Sequence, residues 1–189
     1  TKNYADANQL LESIKGYQIK YASDIIPSDE KIHAEIMYNK YDIFRNLFMY
    51  YFLAGLLFFI FIILNIFSEN KSIHNFMKYI FIIFRSSIVL LFIAHTLGLI
   101  ARWYISGHAP WGDAYESMIY VAWATMGIGL LFIKKSDLTL ASTSFVTSMI
   151  LMIAHWNWMD PSIANLVPVL NSYWLMIHVS VIVGSYGPF

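Results

Sequence analysis

LFMYYFLAGLLFFIFIILNIF, residues Leu47–Phe67, decides the fold. It offers about 20 uncharged, mostly apolar residues in a row, enough for a helix to cross a hydrocarbon core of about 30 Å. Four further stretches read the same way: Ile83–Tyr104, Tyr115–Ile133, a shorter Leu138–Ile153, and Tyr173–Gly187, the start of a last helix. Composition agrees, with 58% hydrophobic, 17% aromatic and only 13% charged residues and a mean hydropathy of +0.56. A soluble domain of this size would carry about a quarter charged residues. The expected fold is therefore all-α, a polytopic helical membrane protein with about five transmembrane helices, the fifth truncated. Thr1 in place of an initiator Met, and an apolar helix that stops at Phe189, read as a piece of a longer chain.

Residues 1–46 differ in kind. They hold six of the twelve Lys and Arg and seven of the twelve Asp and Glu. Tyr4, Ala7, Leu11, Ile14, Tyr17 and Tyr21 recur at helical spacing and form one apolar stripe. Pro27-Ser28-Asp29-Glu30 reads as a helix start, with Ser28 as N-cap and acids in the first turn. The pattern predicts an extracytoplasmic helical hairpin, giving two domains: 1–46, and a transmembrane region over 47–189.

Charge sets the topology. Loop 68–82 has Lys71 and Lys78, Arg85 lies just inside the following span, and loop 134–137 has Lys134 and Lys135, whereas 105–114 and 154–172 contain no Lys or Arg. The positive-inside rule puts the first pair in the cytoplasm, and 105–114, 154–172 and 1–46 outside. Net charge is zero, which gives no reason to expect nucleic acid; lipid is the expected surrounding. The chain has no cysteine, which excludes thiol nucleophiles, disulfides and thiolate metal sites within it.

His178, inside the apolar Ser172–Gly184 run, is the leading site residue. An ionisable group in a membrane helix is costly and normally has a partner, and neutral imidazole is a common ligand to metals and to haem iron. The alternative is a hydrogen bond to a neighbouring helix. Arg102, Asp113 and Glu116 flank a turn made by Gly107, Pro110 and Gly112, with Trp111 among its aromatic residues. They form either a polar rim that grips a carboxylate or propionate, or an ion-pair clamp that orders the turn. Trp156, Trp158 and Trp174 form an interfacial belt or the floor of a flat aromatic ligand. His95 lies deeper in its helix than His178, so a His95–His178 pair on one iron is disfavoured, and a bond to a neighbouring helix is expected for it. His33, His74, His108 and His155 are assigned nothing.

The run from His95 to Ser117, HTLGLIARWYISGHAPWGDAYES, resembles the opening signature of the CcsA-type cytochrome c biogenesis proteins. LVPVLNSYWLMIHVS, Leu166–Ser180, resembles that family's segment around its first external haem-ligand histidine. The N-terminal part is similar to the region of fused CcsBA (system II) synthases that leads into the CcsA half. The resemblance implies a protein that moves haem across the bacterial inner membrane and presents it to the Cys-x-x-Cys-His of apocytochrome c, where two thioethers form. It implies haem b as cofactor and His178 as one of two external axial ligands, the metal being haem iron; beside such a ligand, Arg102, Trp111, Glu116 and Trp174 are the candidate rim. It further implies that the chain is part of a holocytochrome c synthase of lyase type, with the CcsB part and the C-terminal CcsA part as partners. The family's Trp-rich motif has no match in this sequence. Two other classes stay open: a b-haem or quinone-linked electron-transfer subunit, and a transporter of a small organic anion that uses no metal.

Overall fold

A computed structural model describes residues 4–23, 26–68, 71–156, 159–163, 166 and 172–187, with side chains from residue 75 onward in the segment that starts at 71. Trp158 and the side chain of His74 fall outside the described residues. Seven helices follow one another: α1 (Tyr4–Ala22), α2 (Asp29–Tyr41), α3 (Ile43–Phe67), α4 (Lys71–Ser106), α5 (Ala114–Leu131), α6 (Asp137–His155) and α7 (Tyr173–Ser185). No strand occurs among the described residues.

The long helices are apolar on every side. In α3, Phe44, Leu47, Tyr51, Gly55, Phe58 and Ile62 are buried at three- and four-residue spacing. Yet Leu53, Leu57, Ile60 and Leu64 on its open side are equally apolar. A helix that is hydrophobic all round and half exposed makes sense in lipid. Among the described residues, three helical stretches are long and apolar enough to cross a membrane: Asp29–Phe67, Asn75–Ser106 and Asp137–His155. In α5, Glu116 and three tyrosine or tryptophan residues dilute the apolar run, and α7 is a shorter apolar helix.

Lipid tails are as apolar as leucine, so close packing rather than hydrophobic transfer must join these helices. The chain answers with small residues. Along α6, Ala141, Ser144, Thr147, Ser148 and Ala154 are buried. A Cβ on Gly55 of α3 would stand 2.8 Å from the Phe145 backbone nitrogen, and one on Gly129 of α5 would stand 2.5 Å from the Thr143 methyl. Ser144 adds an interhelical hydrogen bond, donating its hydroxyl to the Tyr51 carbonyl at 3.0 Å. Helices α3, α4, α5 and α6 thus close a ring, with α7 against α5 and α2 against α4.

Two ion pairs fix the ends of that ring. Arg85 of α4 grips Asp137 in the first turn of α6 with two bonds, at 2.7 and 2.8 Å. Arg102, near the other end of α4, meets the start of α5 and the 161–162 segment. The 105–114 turn and residues 161–162 therefore share one end, opposite the turn bearing Lys134 and Lys135. Helix α2 reaches the Arg102 end as well, with Lys31 Nζ 5.9 Å from the centre of the Tyr104 ring.

Three local outcomes differ from the sequence reading. Loop 68–82 is largely helix, because α4 begins at Lys71 and its 36 residues contain no proline and a single glycine, Gly98; once nucleated, nothing stops it. Helix α3 starts at Ile43, with Asp42 alone breaking it from α2 in a left-handed conformation, φ 40°, which short polar side chains tolerate. The two N-terminal helices form, and Ser28 caps α2 by accepting from the Lys31 N–H at 3.4 Å. Helix α1, however, buries no residue, so its stripe lies open and only α2 is packed.

Candidate functional site at the Arg102 end of the bundle

Helix α4 leaves the bundle through Gly107, whose φ of +75° lets the chain turn back at once. The return ends at Asp113, the N-cap of α5, which accepts from the Glu116 N–H at 2.6 Å. Burial of this half-buried carboxyl pushes its pKa up, against the cap N–H that pulls it down. Glu116 reaches back over the turn. One oxygen accepts from the Gly112 N–H at 2.8 Å and the other from Arg102 Nε at 2.8 Å.

Arg102 is the hub. Its side chain is 0% exposed and that of Glu116 1%. Beyond Glu116 it donates from Nη1 to the carbonyl oxygen of Pro161 at 2.9 Å and from Nη2 to that of Ser162 at 3.0 Å, and Nη2 also lies 3.7 Å from Asp113. The Tyr115 ring centre sits 5.0 Å from the guanidinium carbon. The 161–162 turn is itself shaped by Asp160, which accepts from the Ser162 N–H at 2.9 Å; that bond holds its carboxyl below the ordinary range. A planar fork suits this task because its donors diverge in fixed directions. The carbonyls that Arg102 binds come from a segment about 60 residues away, and no spacing rule reveals them.

Trp111 carries the network to α7. Its indole N–H donates to the Met176 carbonyl at 3.2 Å, and its ring meets Trp103 and Tyr120 at 6.1 and 5.0 Å between centres. Lower down, a Cβ on Gly184 would touch the Tyr120 hydroxyl at 3.4 Å. Neither partner of α7 stands out in the sequence. Gly184 and Gly187 are the available hint, since small residues permit close approach between membrane helices.

His178 sits two residues beyond Met176, on the exposed side of α7. It has no hydrogen-bond partner among the described residues. Trp174, one turn earlier on the same face, is 78% exposed. The candidate residues therefore divide. Arg102, Glu116 and Trp111 are knitted into the turn between α4 and α5, while His178 and Trp174 stand on an open face that the turn positions through Trp111. His95 is elsewhere, fully buried, with Nε2 3.1 Å from the Ile119 carbonyl as expected of a helix-to-helix bond. His108 bonds locally, its Nδ1 3.2 Å from the Ala109 carbonyl, and His155 borders a cavity of about 330 Å³ with Tyr38, Asp42 and Asp160. Among the described residues no three His, Asp or Glu side chains converge as a metal site.

Comparison with known proteins gives this arrangement a context. Residues 111–189 match the family model of the cytochrome c assembly protein. Protein NrfI of Wolinella succinogenes is 39% identical over 188 residues, which cover 100% of this chain and 20% of NrfI. Cytochrome c biogenesis protein CcsA of Prochlorococcus marinus is 33% identical over 147 residues, 70% of this chain and 43% of that protein. CcsA of Guizotia abyssinica is 40% identical over 99 residues, 47% of this chain and 29% of that protein. The chain thus spans less than half the length of each of these relatives.

Proposed function

Because the chain belongs to the CcsA-type cytochrome c assembly family, we propose that it is the part of a cytochrome c synthase that holds haem b at the outer membrane face, with His178 as axial ligand. The observation that carries this reading is the imidazole itself: it projects from an apolar helix, takes no hydrogen bond from the described residues, and has an aromatic ring one turn away. Haem iron asks a protein for axial ligands rather than a converging cluster, and a neutral imidazole is a frequent one. The residues present therefore fit the group. Trp174 offers a flat apolar surface beside it, and Trp111 fixes the height of α7 by gripping Met176.

Bound haem supplies the vinyl groups that the thiols of apocytochrome c attack. The residues of this chain bind and orient. His178 ligates, Trp174 and Trp111 line the rim, and Arg102 with Glu116 serves the site by holding the turn from which Trp111 projects. The second axial ligand and the thioether-forming machinery belong to the remainder of the synthase, its CcsB part and C-terminal CcsA part, against which the open face of α7 is set. Residues 1–46 and segments 105–114 and 154–172 face the periplasm, and the membrane is the bacterial inner membrane. A b-haem electron-transfer subunit would need a second imidazole from its own helices at the depth of His178. His95 is engaged with Ile119 in the interior, which favours the biogenesis reading.

His178→Ala tests this. Haem retained through purification should fall at least about tenfold, the lower end of the loss seen when even the supports of a metal ligand are removed, with membrane insertion intact. Unchanged visible spectra together with unchanged cytochrome c maturation would refute the assignment.

A further inference from the structure

Three fully buried side chains inside the ring of helices carry polar atoms with no partner among the described residues: the Tyr51 hydroxyl, His95 Nδ1 and the Thr147 hydroxyl. Such atoms are rare in native interiors, and a recurrent solution is an ordered water. Thr147 is the more telling because its neighbours behave differently. Thr96, Thr125 and Thr143 each donate to the carbonyl four residues back, at 2.8, 2.8 and 2.7 Å. That is the ordinary fate of a helix hydroxyl, and Thr147 does not take it.

The imidazole defines what is missing. Nε2 lies 3.1 Å from the Ile119 carbonyl, and a carbonyl only accepts, so Nε2 carries the hydrogen and Nδ1 of the neutral ring is an acceptor. A hydroxyl such as Tyr51 can both donate and accept. The Tyr51 and His95 rings lie 6.1 Å apart between centres, inclined at 57°, without bonding directly. Thr147 is one turn along α6 from Ser144, whose hydroxyl meets the Tyr51 carbonyl. Tyr51 and His95 are thus neighbours, and α6 brings Thr147 to within one turn of a contact with the backbone of the same tyrosine.

We propose that one ordered water binds here, joining the Tyr51 hydroxyl, His95 Nδ1 and the Thr147 hydroxyl into a polar node. Buried waters typically make about three hydrogen bonds, which is the number of atoms to be satisfied. With Ile119 on the far side of the imidazole, the node ties α3, α4, α5 and α6 to one another. The Ile119 carbonyl fixes the tautomer of His95, the water completes its second nitrogen, and the node does not depend on haem.

The sign of a stability change decides the matter in the full-length protein in lipid nanodiscs. If water joins the three groups, Tyr51→Phe and Thr147→Val each take away one of its partners, and both variants unfold at lower temperature than the parent. If the hydroxyls are unsatisfied, removing them relieves a desolvation penalty, and either variant unfolding at the same or a higher temperature overturns the proposal. A map resolving ordered water should show density between Tyr51 and His95 that is lost in Tyr51→Phe. Density filled by a direct Tyr51–His95 bond would also overturn it. Nitrogen NMR, with the ring identified by its coupling to the Ile119 carbonyl carbon, should find Nε2 protonated and Nδ1 bare; the opposite tautomer would contradict the Ile119 bond and with it the node as drawn.

Discussion

Arg102→Gln separates a side chain that holds the α4–α5 turn from one that touches haem. Four contacts are lost or weakened together: the charged bond to Glu116, two to the carbonyls of Pro161 and Ser162, and the longer attraction to Asp113. Glu116 keeps the Gly112 N–H but is left buried without its cation. Breaking a buried pair from one side costs about 3–5 kcal/mol, so abundance and unfolding temperature should both drop. Haem per intact protein should fall only as far as the turn slackens around Trp111. Arg102→Met combined with Glu116→Leu removes both charges, and replacing a whole buried pair by apolar groups is often close to neutral. The double variant should therefore regain most of the stability lost by the single one. Thermal unfolding of the purified protein, followed alongside haem per mole of protein, reads both quantities. A single variant that keeps its stability but loses haem would refute the clamp and place the guanidinium on a propionate instead.

Three further outcomes are expected. Asp113→Ala removes the α5 N-cap and should cost about 1 kcal/mol, whereas Asp113→Asn keeps a capping oxygen and should cost much less. Because burial raises the folded Asp113 pKa above its ordinary value of 3.8, its contribution is present below that value and is lost as pH rises through the folded value; Asp113→Asn should flatten that stretch of a stability–pH profile. At the opposite end, Arg85→Ala should cost no more than about 1 kcal/mol, since the pair with Asp137 is partly exposed, and added salt should shrink the difference between variant and parent. Cysteine placed at Ser106 or Ser162 should react with an impermeant maleimide added from the periplasmic side, and cysteine at Ser136 should not; the reverse pattern would invert the topology.

What could be read in the sequence follows from which forces leave a local trace. The spans were legible because lipid demands unbroken apolar runs, and the helix starts because Ser28 and Asp113 offer capping oxygens where the chain needs them. Loop 68–82 was misread because Lys71 and Lys78 suggested an ending, when charge in a helix marks only the side of the membrane it has left. Arg102 and Glu116 could be paired from their placement around the turn, but the carbonyls of Pro161 and Ser162 could not, since any backbone offers them equally. The exposure of His178 could not be read either, because a membrane helix is apolar toward lipid and toward protein alike. That exposure bears on function most. An arginine that recruits two backbone carbonyls and a carboxylate, beside a turn whose tryptophan grips α7, stiffens one side of a helix whose other side stays open. A ligand held there would meet a fixed imidazole and a fixed indole on this chain, leaving the opposing half of the site to be supplied across the gap.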